Sequence, residues 1–204
     1  QHRLAAFENL LDWWSNNAYG RHLYIGQAAY RAAENVQGFR NRAELPNQVR
    51  ALRNNNRVQG SVYFSSKSLT NNLAGFRDSL RNDLYKYPAL QPVMLWRDSI
   101  APQAPLQLTA YVRQPNSVQL NWVAPPKSRD NESAYGYVIY RFKAGEEINT
   151  EDASKIIRIS FDGKTTSFTD HTGLKGNTYN YIITAIDRLK NESRPSNAAL
   201  SYIP

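Results

Sequence analysis

Residues 178–187 read TYNYIITAID, a run of aromatic and β-branched side chains with a period of two. That period puts alternate residues on opposite faces, which is the pattern of a strand with one buried side. Working outward, six further short segments share it: LQLTAYVRQ at 106–114, SVQLNWVAP at 117–125, GYVIYRFKA at 136–144, KIIRISFD at 155–162, TSFTDH at 166–171 and ALSYI at 199–203. Turn residues separate them at near-regular intervals. Seven short strands in such an array predict a β-sandwich.

Upstream the character changes. PALQPVMLWRDSIAPQAP, residues 88–105, contains Pro88, Pro92, Pro102 and Pro105, which predict a stiff connector that cannot continue a helix. Before it, helix and strand periods alternate. Leu4, Phe7, Leu11 and Trp14 form one apolar stripe at helical spacing, closed by Gly20. RHLYIGQAAYR, residues 21–31, then extends as a strand over 22–28. A second helix begins near Pro46 with Leu45, Val49 and Leu52 on one face, and a second strand follows at 57–66. A third helix carries the stripe Leu73, Phe76, Leu80 and Leu84 behind an Asn cap. Strands joined through a helix lie parallel, and parallel sheets are buried on both faces. Two such strands cannot shield themselves, so the expectation is that further strands lie upstream of Gln1.

Composition narrows the chemistry. The 204 residues carry a net charge of +8, and no cysteine, so disulfide and thiolate chemistry are excluded. The first half is the more basic, but Arg3, Arg21, Arg31, Arg40, Arg50, Arg57, Arg77 and Arg97 are dispersed, as on a solvated surface. A nucleic-acid partner is therefore not expected. His2, His22 and His171 are isolated, which offers no zinc set, and GLKG lacks the spacing of a phosphate loop. No cofactor and no metal are expected. No apolar run approaches the ~18 residues that cross a bilayer.

Two resemblances can be read from particular phrases. Val118, Leu120 and Trp122 before Pro125 and Pro126, Tyr137 and Ile139 on the next strand, GLKGNTYNYIITAID with Leu174 and Tyr179, and the lead-in RPSNAA together resemble a fibronectin type III domain over about residues 103–204. The resemblance implies that Tyr179 forms a tyrosine corner, its hydroxyl bonded to nearby backbone. It also implies one inner face for Tyr179, Tyr181, Ile183 and Ala185, and a core place for Trp122. In the first half LYIGQAAYR, VQGSVYFSSKSLTNN and LYKYPALQPVMLW resemble, in type and order, the C-terminal end of the glycosyl-hydrolase-like family 10 catalytic domain, a bacterial (β/α)8-barrel group.

The implied fold class is therefore two domains: α/β, the incomplete C-terminal units of a TIM-type barrel, at 1–98, and an all-β fibronectin type III sandwich at 106–204, with a Pro-rich linker at 99–105. The implied function is that of the C-terminal part of a bacterial glycoside hydrolase acting on a polysaccharide, for which the glycan strands of peptidoglycan are one choice. Its partner would be the upstream catalytic barrel portion of the same protein, and the sandwich would serve as an accessory or spacer. The implied address is secreted or cell-envelope, periplasmic or outer-membrane-associated, for instance as a lipoprotein. Self-association of the chain through unpaired strand edges is a further expectation. The competing reading is a non-catalytic carbohydrate- or protein-binding module.

Barrel sites lie at the C-terminal ends of strands. That places Gln27 and Tyr30 after the first strand, and Ser65, Ser66 and Lys67 after the second, as candidate sugar contacts. The bland alternative is that the serines only satisfy loop backbone and Tyr30 only packs. Trp96 is either a stacking platform or packing at the seam. Glycoside hydrolysis needs two carboxyl groups some ~5–10 Å apart. Of Glu8, Asp12, Glu34, Glu44, Asp78, Asp83 and Asp98, only Glu34 falls in a loop at the expected end, so the catalytic residues are unknown and are expected outside this chain. The NES sequons at Asn131 and Asn191 matter only in a eukaryotic secretory route.

Overall fold

A computed structural model describes residues 6–36 and 38–204; Leu4 of the first stripe lies outside them. The chain divides into two units, Gln1–Lys86 and Tyr87–Pro204.

The second unit is a sandwich. Its strands are β3 (Leu106–Gln114), β4 (Ser117–Val123), β5 (Gly136–Lys143), β6 (Ile156–Ser160), β7 (Ser167–Asp170), β8 (Thr178–Ile186) and β9 (Ala199–Tyr202). They form an antiparallel three-stranded sheet ordered β3-β4-β7 and an antiparallel four-stranded sheet ordered β6-β5-β8-β9. Three strands against four in this order is a fibronectin type III-like fold. The period of two does what it predicts: Val118, Leu120, Trp122, Tyr137, Ile139, Tyr179, Tyr181, Ile183 and Ala185 all enter one buried cluster between the sheets. The Trp122 ring meets Tyr137 edge-on at 5.1 Å. The Tyr179 hydroxyl accepts the Leu174 N–H at 3.1 Å, which is the tyrosine corner.

Strand β5 is also apolar on its other side, and the structure shows why. Val138, Tyr140, Phe142, Ile182 and Ile186 make a second cluster on the outer face of β5 and β8, and Leu90 packs against it. The Pro-rich stretch thus supplies cover as well as connection. The Asn191 amide fastens it further by donating to the Asp98 carbonyl at 3.2 Å.

The first unit is smaller and less regular. Helix α1 (Phe7–Asn16) leads to β1 (Tyr24–Gln27), a 3-10 turn at Ala29–Ala33, α2 (Glu44–Arg53) and β2 (Gly60–Tyr63). Then come α3 (Ser66–Thr70), a 3-10 turn at Leu73–Gly75, and α4 (Phe76–Ser79), which widens into a π turn at Leu80–Leu84. β1 and β2 pair in parallel, Tyr24 opposite Gly60 through Gln27 opposite Tyr63. The core gathers Ala29, Ala32, Leu45, Val49, Phe76, Leu80 and Leu84.

Here the expectation of an α/β domain forming the incomplete end of a TIM-type barrel is overturned. Most of the strand structure belongs to the antiparallel sheets of the second unit. Among the described residues the first unit has two strands of four residues each, without the strand–helix alternation a barrel repeats. The physical reason lies after β2. A barrel helix must be long enough to cover its strand, but the predicted third helix is interrupted where Asn72, Ala74 and Gly75 turn left-handed at φ 50°, 51° and 76°. Trp14, a member of the first apolar stripe, is exposed, as is Trp13. It lines an open apolar groove of about 370 Å³ with Phe7, Leu10, Leu11, Tyr24 and Ile25.

Candidate functional site

The parallel pairing of β1 and β2 brings their C-terminal exits side by side. The Gln27 carbonyl accepts the Phe64 N–H at 3.0 Å, and the Tyr30 N–H donates to the Phe64 carbonyl at 3.2 Å. These two bonds lock the chain leaving one strand to the chain leaving the other. The Tyr30 and Phe64 rings then meet edge-on at 6.0 Å. Both are open to solvent, Tyr30 at 49% and Phe64 at 71% exposure.

Gln27 is the unusual member. The residue is only 2% exposed, yet among the described residues neither its amide nitrogen nor its amide oxygen has a hydrogen-bond partner. A buried primary amide offers two donors and an acceptor, and leaving them empty costs free energy. Natural interiors leave few such groups unpaired, and among the described residues the Trp122 indole N–H in the sandwich core is another.

Ser65 stands just before α3, and its carbonyl accepts the Ser68 N–H at 3.0 Å. Its side chain makes no capping bond to the helix. The Ser66 carbonyl takes the Thr70 hydroxyl at 3.1 Å, and Lys67 is exposed on the same short helix. Behind them Tyr63 pairs its hydroxyl with that of Tyr85 at 2.9 Å. Burial, reinforced by that bond, pushes the Tyr63 phenol well above its ordinary range, so it stays protonated. The structure therefore gathers Gln27, Tyr30, Ser65, Ser66 and Lys67 around one pair of strand exits. Trp96 belongs to the second unit, in a turn where the Arg97 N–H donates to the Met94 carbonyl at 2.7 Å.

Four acids of the first unit, Glu34, Glu44, Asp78 and Asp83, are engaged locally. Glu34 pairs with Arg31 at 2.8 Å, and that guanidinium lies 4.3 Å over the Phe39 ring. Asp83 pairs with Arg50 at 2.6 Å, Glu44 accepts the Gln48 amide at 2.9 Å, and Asp78 accepts that of Asn72 at 2.7 Å. None of these geometries presents two free carboxyl groups to one bond. In the second unit the sequon residue Asn191 is buried and bonded to Asp187 at 2.7 Å, which removes it as a glycan acceptor.

Phe64 escaped the sequence reading. Its signal was present: with Val62 it lies on one face of VYFSS, and an aromatic side chain at a strand exit next to Tyr30 is the residue type that stacks on a ring. What the letters did not show is which face of the short strand stays uncovered.

No family model matches the chain. It is 38% identical over 195 residues to a Bacillus subtilis (strain 168) protein named glycosyl hydrolase YngK, covering 94% of this chain and 37% of that protein. It is 32% identical over 140 residues to an amylopullulanase of Thermoanaerobacterium thermosulfurigenes, covering 67% of this chain and 7% of that protein. Among solved structures, an Fn3-like protein from Clostridium thermocellum is 25% identical, with 51% of this chain and 95% of that one covered and a TM-score of 0.39. The chain thus spans little more than a third of its first curated relative and a small fraction of the second. Along nearly all its length it is similar to a segment of a protein named as a glycosyl hydrolase, and its second unit is a fibronectin type III-like sandwich.

Proposed function

We propose that this chain is a substrate-contacting, non-catalytic part of a bacterial glycoside hydrolase that acts on a polysaccharide outside the cytoplasm, with peptidoglycan glycan strands a substrate of the right kind. The observation that carries the reading is Gln27, a buried amide with empty hydrogen-bonding positions at the strand exits where the Tyr30 and Phe64 rings lie open to solvent. Sugar ring C–H faces pack on the exposed Tyr30 and Phe64 rings, and sugar hydroxyls carry the donors and acceptors that the amide beneath lacks. Ser65, Ser66 and Lys67 add hydroxyl and ammonium groups at the rim. The similarity to a protein named as a glycosyl hydrolase supports the substrate class. Cleavage would need a spaced carboxyl pair, which the locally engaged acids of the first unit do not provide. The sandwich acts as the accessory domain.

The test is retention of the purified chain on insoluble polysaccharides, with reducing-end release assayed in parallel. The reading expects retention on at least one glycan, weaker retention in Gln27→Leu than in the wild type, and no reducing ends released. A chain that passes through every glycan, or one that cleaves unaided, would overturn it. Fractionation of the producing cells should find the protein outside the cytoplasm.

A further inference from the structure

We propose that the loop end of the sandwich holds a second saccharide site, a groove walled by Tyr135 and Phe161 that takes a pyranose of an uncharged polysaccharide. The proposal rests on the polysaccharide reading above, but its residues lie in the other unit. The β4–β5, β6–β7 and β8–β9 connections meet at one end of the sandwich, the end where β6 and β8 finish and β5 begins. Connections presented by a rigid sandwich are where such folds place recognition. Between the first two lies an open groove of about 480 Å³, lined by Pro125, Tyr135, Phe161, Asp162 and Lys164 among others. That volume is within the range of small-molecule sites.

Two aromatic rings in solvent-facing loops are costly unless something covers them. Tyr135 and Phe161 are 40% and 56% exposed, 6.2 Å apart and tilted by 41°. They are also held in place. The Lys190 ammonium, itself only 9% exposed, sits 4.4 Å from the Tyr135 ring and 4.9 Å from the Phe161 ring, and Lys190 is not among the groove's walls. It braces both rings from outside the groove. The backbone is pinned as well. The Tyr135 N–H donates to the Ile186 carbonyl at 2.8 Å, and the Tyr137 hydroxyl donates to the Gly163 carbonyl at 3.2 Å. A Cβ on Gly163 would sit 1.9 Å from the Ala134 carbonyl oxygen, so the two loops approach as closely as glycine allows. Such a preformed aromatic wall suits the C–H face of a sugar ring. The rim carries one acid and one base, Asp162 and Lys164, whose charges offset. That balance favours a neutral glycan over a polyanion.

The test is an amide proton–nitrogen correlation titration of the full chain with maltoheptaose and, separately, chitohexaose. The expected result is saturable shifts at Tyr135 and across 161–164 with at least one probe. Tyr135→Leu and Phe161→Leu keep apolar cover over Lys190 but remove the π face, and each should weaken binding roughly tenfold. Tyr111→Ala, an exposed tyrosine elsewhere on the sandwich, should not. Shifts confined to the groove uphold this site even where the Gln27 reading fails. Shifts confined to Gln27, Tyr30 and Lys67 overturn this site and leave that reading intact. No saturable shift at the groove with either probe up to about 10 mM overturns it, as does undiminished binding in both leucine variants.

Discussion

Gln27 and Asp170 are both buried polar residues, and they have opposite surroundings. Asp170 is 1% exposed and fully engaged: it accepts from Arg141 at 2.7 Å, from the Thr172 N–H at 2.8 Å and from the Tyr181 hydroxyl at 2.9 Å. Burial pushes the Asp170 carboxyl upward, but the Thr172 bonds and the Arg141 charge outweigh it and hold the group below the usual carboxylate range. Its folded value is thus lower than its unfolded one. The stabilisation is therefore complete above about pH 4 and is lost as pH falls toward the folded value. Urea midpoints measured from pH 6 down to pH 2 should fall steeply for the wild type and less steeply for Asp170→Asn. Parallel curves would contradict this. Gln27, by contrast, has no partner for either amide atom among the described residues. Replacing it by leucine removes the unsatisfied group at similar volume, so Gln27→Leu should raise unfolding stability by about 1 to 3 kcal/mol in chemical denaturation. A loss of stability would mean that the amide is structurally bonded. Position 27 was legible in the sequence as a strand exit. Its empty bonding positions were not, because they depend on what neighbouring loops fail to supply.

Elements were legible where the period was strict. The seven sandwich strands were legible from their period, although β5 and β8 are buried on both faces rather than one. The third helix of the first unit was legible only in part. Phe76, Leu80 and Leu84 are buried as their spacing predicts, but Asn72, Ala74 and Gly75 break the backbone before them. Ala74 has no side-chain reason to occupy the left-handed region, which costs a residue with a Cβ about 1–2 kcal/mol. Ala74→Gly should therefore raise the thermal midpoint, despite the extra flexibility of the unfolded chain. A lowered midpoint would show that the strain is offset by the methyl packing of Ala74 against the small core. In α1 the stripe of Phe7, Leu11 and Trp14 was readable, but a stripe names an apolar face without naming its cover. Trp14 consequently came out exposed.

For the whole molecule, phrase-level resemblance proved a guide to element order and relatedness more than to architecture. The first half matches short phrases in sequence, yet element length decides whether strands and helices can repeat around an axis, and here the strands are four residues long. The second half shows the converse, because its architecture follows from patterning that no single phrase carries. The proposed function divides in the same way: its substrate class is supported by the similarity to a protein named as a glycosyl hydrolase, and its contact chemistry by Gln27 at the strand exits beside Tyr30 and Phe64. The most direct measurement follows the side-chain amide resonance of Gln27 while chitohexaose, a neutral chain of N-acetylglucosamine, is added to the intact protein. The account predicts a saturable shift of that resonance together with slower exchange of its protons with water. A Gln27 amide that stays unmoved while the glycan binds elsewhere, or does not bind, would contradict it.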